Sequence, residues 1–169
     1  MIHKPLRSQL TNNFHSNEFS CHETLVKDVP GYYTNNMVYL ATQLQKIRDI
    51  LDAEIRINSA YRTKQWNKNV GGSENSNHLT CMAADITQFR YTNDSFYKLI
   101  LELVKIGAIP DGEIIKYENF VHYSPQFDWR HLSVRNLFAN EVLLTYDINR
   151  QNNLYKNVKF NPSKILIKR

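Results

Sequence analysis

The sequence predicts an α+β fold, and three observations lead there. Two stretches repeat apolar residues at intervals of three and four, the pattern of amphipathic helices. Five short runs read as strands. Helices and strands are segregated along the chain instead of alternating as regular βαβ units. At 169 residues, 42% hydrophobic and 22% charged, the chain is near the size of one domain (about 150 residues) and too apolar for wholesale disorder.

Residues 1–33 read as irregular, with Phe14, Phe19, Tyr32 and Tyr33 as aromatic anchors. The first helix follows, with Met37, Leu40, Ala41, Leu44, Ile47 and Leu51 on one face and Thr34 or Asn35 as its cap. Glu54–Asn58 alternates as a short strand. Arg62–Val70 can form a short helix that Gly71-Gly72 stops. Met82–Ile86 is a compact apolar run expected as a buried strand. The second amphipathic helix runs from about Asp94 to Ile106, carries Phe96, Leu99, Ile100 and Leu103, and is closed by Gly107. Glu113–Tyr117 and Phe120–Ser124 read as further strands, and Val142–Tyr146 as a last one before a basic tail. The expected organisation is one main domain over residues 1–135 and a C-terminal extension over 136–169 packed on it.

Composition narrows the function classes. A chain of this length buries enough core to fold without metals or disulfides, so a metal here points to function. Cys21 and Cys81 are too few for a secreted disulfide scaffold. No run approaches the ~18 apolar residues of a membrane span, and the first residues lack the apolar core of a signal peptide. Synthesis in a cytoplasm and a monomeric state are expected. Lys and Arg number 21 against 16 acids, a net +5 with pI near 9.2, which favours polyanionic partners such as anionic cell wall polymers. No helix-turn-helix, zinc-finger or RNA-binding signature accompanies that charge, so no specific nucleic-acid partner is expected.

The chemistry centres on His78 and Asp85. A polar turn from Gly71 to His78 leads into Ala83-Ala84-Asp85-Ile86, and an aspartate within an apolar run is costly to bury unless a positive group sits beside it. A histidine seven residues earlier could share a cation with it. Zn²⁺ accepts imidazole nitrogen and carboxylate oxygen in tetrahedral geometry, and a third histidine would leave one position open, as in hydrolytic sites. His122 in Phe120-Val121-His122-Tyr123-Ser124 is placed for this by its alternating apolar neighbours. His131 in Asp128-Trp129-Arg130-His131 is its rival.

Ile57-Asn58-Ser59-Ala60-Tyr61-Arg62, Asn67-x-x-Val70-Gly71-Gly72-Ser73-x-x-Ser76-x-His78 and Ala83-Ala84-Asp85-Ile86 together resemble the signature of the D-Ala-D-Ala metallopeptidases. These are zinc carboxypeptidases and endopeptidases that cut peptidoglycan stem peptides. Phe14-x-x-x-Glu18-Phe19-x-Cys21 and Phe120-Val121-His122-x-Ser124 resemble the family's small-domain branch common in phages and their hosts. The resemblance covers about residues 14–124. It implies a hedgehog/D-Ala-D-Ala peptidase-like fold, a small antiparallel sheet carrying a zinc site and flanked by two main helices. It implies His78, Asp85 and His122 as zinc ligands, Arg62 as the arginine that steadies the scissile carbonyl or the site around it, and Ser76 as a substrate-binding serine.

The general base that the resemblance implies is an acid shortly before the last histidine. Glu118 is the choice here, and Asp128, three residues before His131, is the competitor. Two positions depart from the family pattern. Ala60 stands where Gly is usual, and Cys81 stands where a Gly is common, as a loop position with positive φ would favour. Cys81 and the Cys21-His22 pair are read as structural, not as ligands. The expected function is zinc-dependent hydrolysis of peptide bonds in peptidoglycan stems or crosslinks, for lysis or remodelling of the wall, as in a phage endolysin. Such a protein would reach the wall after release or as part of a virion. The alternative is a catalytically silent wall-binding or virion structural module that keeps the fold.

Overall fold

The computed structural model describes residues 8–23 and 25–132, so the strand expected at Val142–Tyr146 and the 136–169 extension lie outside the described residues. The elements in chain order are β1 (Cys21–His22), β2 (Val26–Lys27), α1 (Thr34–Leu51), β3 (Arg56–Ser59), α2 (Lys64–Asn69), β4 (Ala84–Thr87), α3 (Asn93–Lys105), β5 (Gly112–Lys116) and β6 (Val121–Pro125). The fold is α+β. β1 and β2 form a small antiparallel pair, and the other four strands form an antiparallel sheet in the order β3-β4-β6-β5.

Both long helices arise as their periodicity predicts. α1 buries Leu40, Ala41, Leu44, Ile47 and Leu51. Tyr33 stands at its N-cap without a side-chain cap bond, so Thr34 and Asn35 are helical, one step inside the expected boundary. α3 buries Phe96, Leu99, Ile100 and Leu103, and Thr92 caps it by accepting from Ser95 N. Gly107 ends it in the left-handed region at φ 73°, a conformation that a Cβ disfavours. The short helix α2 begins two residues later than Arg62 because Thr63 caps it by accepting from Trp66 N.

The sheet has two unlike faces because side chains alternate along each strand. On one face Ala84, Ile86, Val121 and Tyr123 are fully buried in the same apolar cluster as α1 and α3. Fully burying each of the larger ones stabilises the fold by roughly 1.5–3 kcal/mol. Tyr123 keeps its hydroxyl satisfied by donating to Pro110 O at 2.7 Å. The other face carries Asp85, His122 and Ser124. β5 and β6 pair in the register Glu113↔Ser124 and Ile115↔His122, which puts Glu113 on that second face as well. Gly112 opens β5 where a Cβ would stand 2.1 Å from Ser124 O, so the hairpin tolerates no side chain there. At the other end, Asn93 of α3 donates to Tyr117 O at 2.6 Å and holds the Tyr117–Phe120 turn.

Candidate metal centre

Asp85 and His122 are direct cross-strand partners on β4 and β6. His78 approaches them from a short 3-10 turn, Asn77–Thr80. Bonds at its first two residues help to fix that turn. Ser76 caps it by accepting from His78 N, Arg62 N donates to His78 O at 2.9 Å, and Asn77 Nδ2 donates to Ser124 Oγ at 2.9 Å. The turn ends at Cys81, which adopts the left-handed conformation with φ 58°. That explains why a glycine suits this position, and a buried cysteine occupies it at some conformational cost.

His78, Asp85 and His122 are only 2%, 6% and 8% exposed. His78 Nδ1 stands 2.6 Å from Ala60 O. A carbonyl can only accept, so Nδ1 carries the proton and Nε2 presents its lone pair. Nε2 lies 3.3 Å from Asp85 Oδ1, but the contact lacks hydrogen-bond geometry and leaves this buried nitrogen without a partner. His122 Nδ1 meets the same Asp85 oxygen at 2.8 Å. One ligand atom from each of the three residues lies within 4.8 Å of the others. A buried imidazole lone pair aimed at a carboxylate oxygen is unfavourable by itself and is satisfied by a cation shared among the donors. Two imidazoles and a carboxylate fit zinc by chemistry and number.

Arg62 completes the charge balance. Its Nη2 donates to Asp85 Oδ2 at 2.6 Å and its Nε to Ser59 Oγ at 2.9 Å. Burial alone would raise the Asp85 carboxyl. The hydrogen bond from His122 and the nearby His78 and Arg62 outweigh it and hold Asp85 well below the usual carboxylate range.

A family model described as Peptidase M15 matches residues 12–124, more than half of the chain and the whole of this site. The chain belongs to the peptidase M15 family. No curated protein and no solved structure matches it. The M15 match makes the chain a member of a family of zinc-dependent peptidases, and the His-Asp-His cluster is where its donors converge.

The M15 cluster forms the floor of an open cleft of about 480 Å³. Arg62, Ser76, Glu113, Tyr117 and Phe120 contribute to its walls, with the Tyr117 and Phe120 rings stacked at 4.5 Å. Arg62 and Ser76 both line the cleft, and both are engaged in bonds that hold the elements carrying His78 and Asp85. Glu118 stands in the exposed turn between β5 and β6 and is not among the residues lining the cleft.

Asp128 and His131 are also elsewhere. Asp128 pairs with Arg130 at 2.7 Å, and His131 sits against the buried Lys46, with Nδ1 3.4 Å from its Nζ. The third donor of the cluster is thus His122. Cys81 is packed in the apolar core with its thiol pushed up to about 12 by burial, and neither it nor Cys21-His22 joins a donor cluster among the described residues.

One cleft residue escaped the sequence reading. Glu113 Oε2 stands 3.5 Å from His122 Nε2, and among the described residues Glu113 is the only acid besides Asp85 that lines the cleft. The signal was present in the strand pairing. Matching Glu113–Tyr117 to Phe120–Ser124 as a tight hairpin puts the odd-numbered residues of the first on the face of His122.

Proposed function

We propose that the protein is a zinc peptidase that hydrolyses peptide bonds in bacterial peptidoglycan stems or crosslinks, with His78, Asp85 and His122 as the zinc ligands. The observation that carries this reading is the buried, unpartnered His78 Nε2, which shares one Asp85 oxygen with His122 Nδ1 at the floor of an open cleft. Family membership supports the substrate class. When bound, zinc supplies Lewis acidity to the scissile carbonyl and lowers the pKa of water at the remaining position.

The chain's own residues do the rest. Ala60 O fixes the His78 tautomer and so the direction of its lone pair. Arg62 occupies Asp85 Oδ2 and leaves Oδ1 to face the two imidazoles. Arg62 lines the cleft, and guanidinium N–H groups beyond those given to Ser59 and Asp85 can donate to an oxyanion or a substrate carboxylate there. Such a fixed donor is worth roughly 2.7–4 kcal/mol where charge develops in the transition state. Tyr117 and Phe120 give the cleft an apolar wall for substrate side chains, and Ser76 lies beside the first ligand, placed to bind the peptide backbone.

The net +5 charge favours adsorption on anionic wall polymers. Among the described residues no helix is long and apolar enough to cross a membrane. A protein made in the cytoplasm and delivered to the wall on lysis, or carried in a virion, fits this charge and chemistry. The test is to digest purified peptidoglycan with the protein and identify the products by mass spectrometry. New peptide termini that disappear on chelation and return with zinc are expected. Release of terminal D-Ala identifies a carboxypeptidase, and separation of crosslinked dimers an endopeptidase. Zinc binding with no cleavage of any muropeptide would replace this reading with the wall-binding module.

A further inference from the structure

We propose that Glu113 is a positioning residue of this centre: its carboxylate accepts the Nε2–H of His122 and thereby fixes the ring tautomer that turns Nδ1 toward Asp85 and His78. The proposal rests on the zinc site inferred above and adds to it a residue outside the three ligands.

One nitrogen of His122 faces the donors. It is Nδ1, at 2.8 Å from the Asp85 oxygen that His78 also approaches. Without a cation Nδ1–H donates to Asp85; a cation held by these donors takes the Nδ1 lone pair instead, so the single proton of the neutral ring then resides on Nε2. Nε2 points away from Asp85 and faces Glu113 Oε2 at 3.5 Å. That separation is a few tenths of an ångström beyond an ordinary N–H···O bond, and the Glu113 side chain, 55% exposed, is free to close it. The other acid in the cleft, Asp85, is already committed to Arg62 and the two histidines. Backbone geometry supports the pairing, since Glu113 and His122 share a sheet face in the β5–β6 register.

The two histidines are then oriented by different devices. A backbone carbonyl holds His78, whereas a charged and partly exposed side chain holds His122. Loss of such an outer partner typically weakens metal binding 10–100-fold.

The experiment measures zinc affinity of the full chain by competition with a chromophoric chelator for wild type, Glu113→Ala, Glu113→Gln and His78→Ala. Nitrogen-15 spectra of the zinc-loaded histidine rings accompany it. Glu113→Ala should bind zinc about 10–100-fold more weakly, and Glu113→Gln, whose amide oxygen still accepts from Nε2–H, should recover most of that loss. The wild-type spectrum should show the His122 proton on Nε2. Glu113 is exposed enough that its variants should melt with the wild type, so weakened binding is not unfolding.

Zinc affinity unchanged in Glu113→Ala but lost in His78→Ala would overturn the role of Glu113 alone. Affinity unchanged in both would overturn the zinc site itself. A Glu113→Gln protein that binds zinc no better than Glu113→Ala, or a wild-type spectrum with the His122 proton on Nδ1, would likewise overturn the positioning role.

Discussion

The two faces of the β4–β6 ladder are built from the same three cross-strand pairs and answer to different physics. Ala84, Ile86, Val121 and Tyr123 point inward and pack on α1 and α3, where their burial is favourable whatever else is present. One residue along each strand, Asp85 and His122 point outward and meet His78 and Arg62. Burying that set removes four polar or charged groups from water. It is offset only where donors and acceptors match, and His78 Nε2 remains unmatched. The apolar face is complete in itself, while the polar face leaves a cluster of donors that a cation could complete. Stability and function are therefore separable along a single strand, and substitutions should divide accordingly.

The largest effect is expected on the polar face. His78→Ala should lose zinc and reduce peptidoglycan cleavage to background. It leaves Ala60 O without a donor and should cost about 1–3 kcal/mol of stability, so the variant stays folded in a thermal melt. Leu99→Ala on α3 is the converse. It should cost about 2–5 kcal/mol, read as an early urea midpoint, while the folded fraction binds one zinc as before. A wild-type midpoint for Leu99→Ala, or a collapsed one for His78→Ala, would erase the contrast.

Smaller effects sharpen it. Arg62→Ala removes the partner of Asp85 Oδ2 and should weaken zinc about 10–100-fold, measurable by chelator competition. Arg62→Lys should fall between, because an ammonium restores charge without the two-point hold on Ser59 and Asp85. The pH dependence of stability should be the mildest signature. The Asp85 carboxyl lies below its unfolded value, so the stability it contributes is fully present above the ordinary carboxylate range. That stability is lost as pH falls through the lower folded value. Acid unfolding of the metal-free protein should therefore be shallower in Asp85→Asn, and identical acid limbs would argue against the depressed carboxyl.

The same contrast separates what was legible in the sequence from what was not. The apolar face is written in local periods: Leu40, Leu44, Ile47 and Leu51 mark α1 at three and four, and Phe96, Leu99, Ile100 and Leu103 mark α3. His78 and Asp85 were legible because an acid in an apolar run demands a positive neighbour, and His122 because its neighbours alternate. The turn at Cys81 was also foreseeable, since the family favours glycine where this chain adopts positive φ.

Pairings across strands were not legible. Glu118 is nearer to His122 along the chain than Glu113, yet it falls in the turn, and the register carries Glu113 back to the ring. That register depends on where the hairpin turns, on Asn93 bracing the turn and on Gly112 passing Ser124 O, none of which is a local pattern. The Arg62–Asp85 pair, 23 residues apart, likewise depends on β3 lying beside β4. The tautomer of His78 needed the position of Ala60 O, which only the folded chain supplies.

If His78, Asp85 and His122 hold one zinc, the metal content of the purified full chain must differ from that of His78→Ala. About one zinc per wild-type chain is expected, and none retained by the folded variant. Absence of zinc from the wild type even after reconstitution, or equal zinc in both proteins, would contradict it.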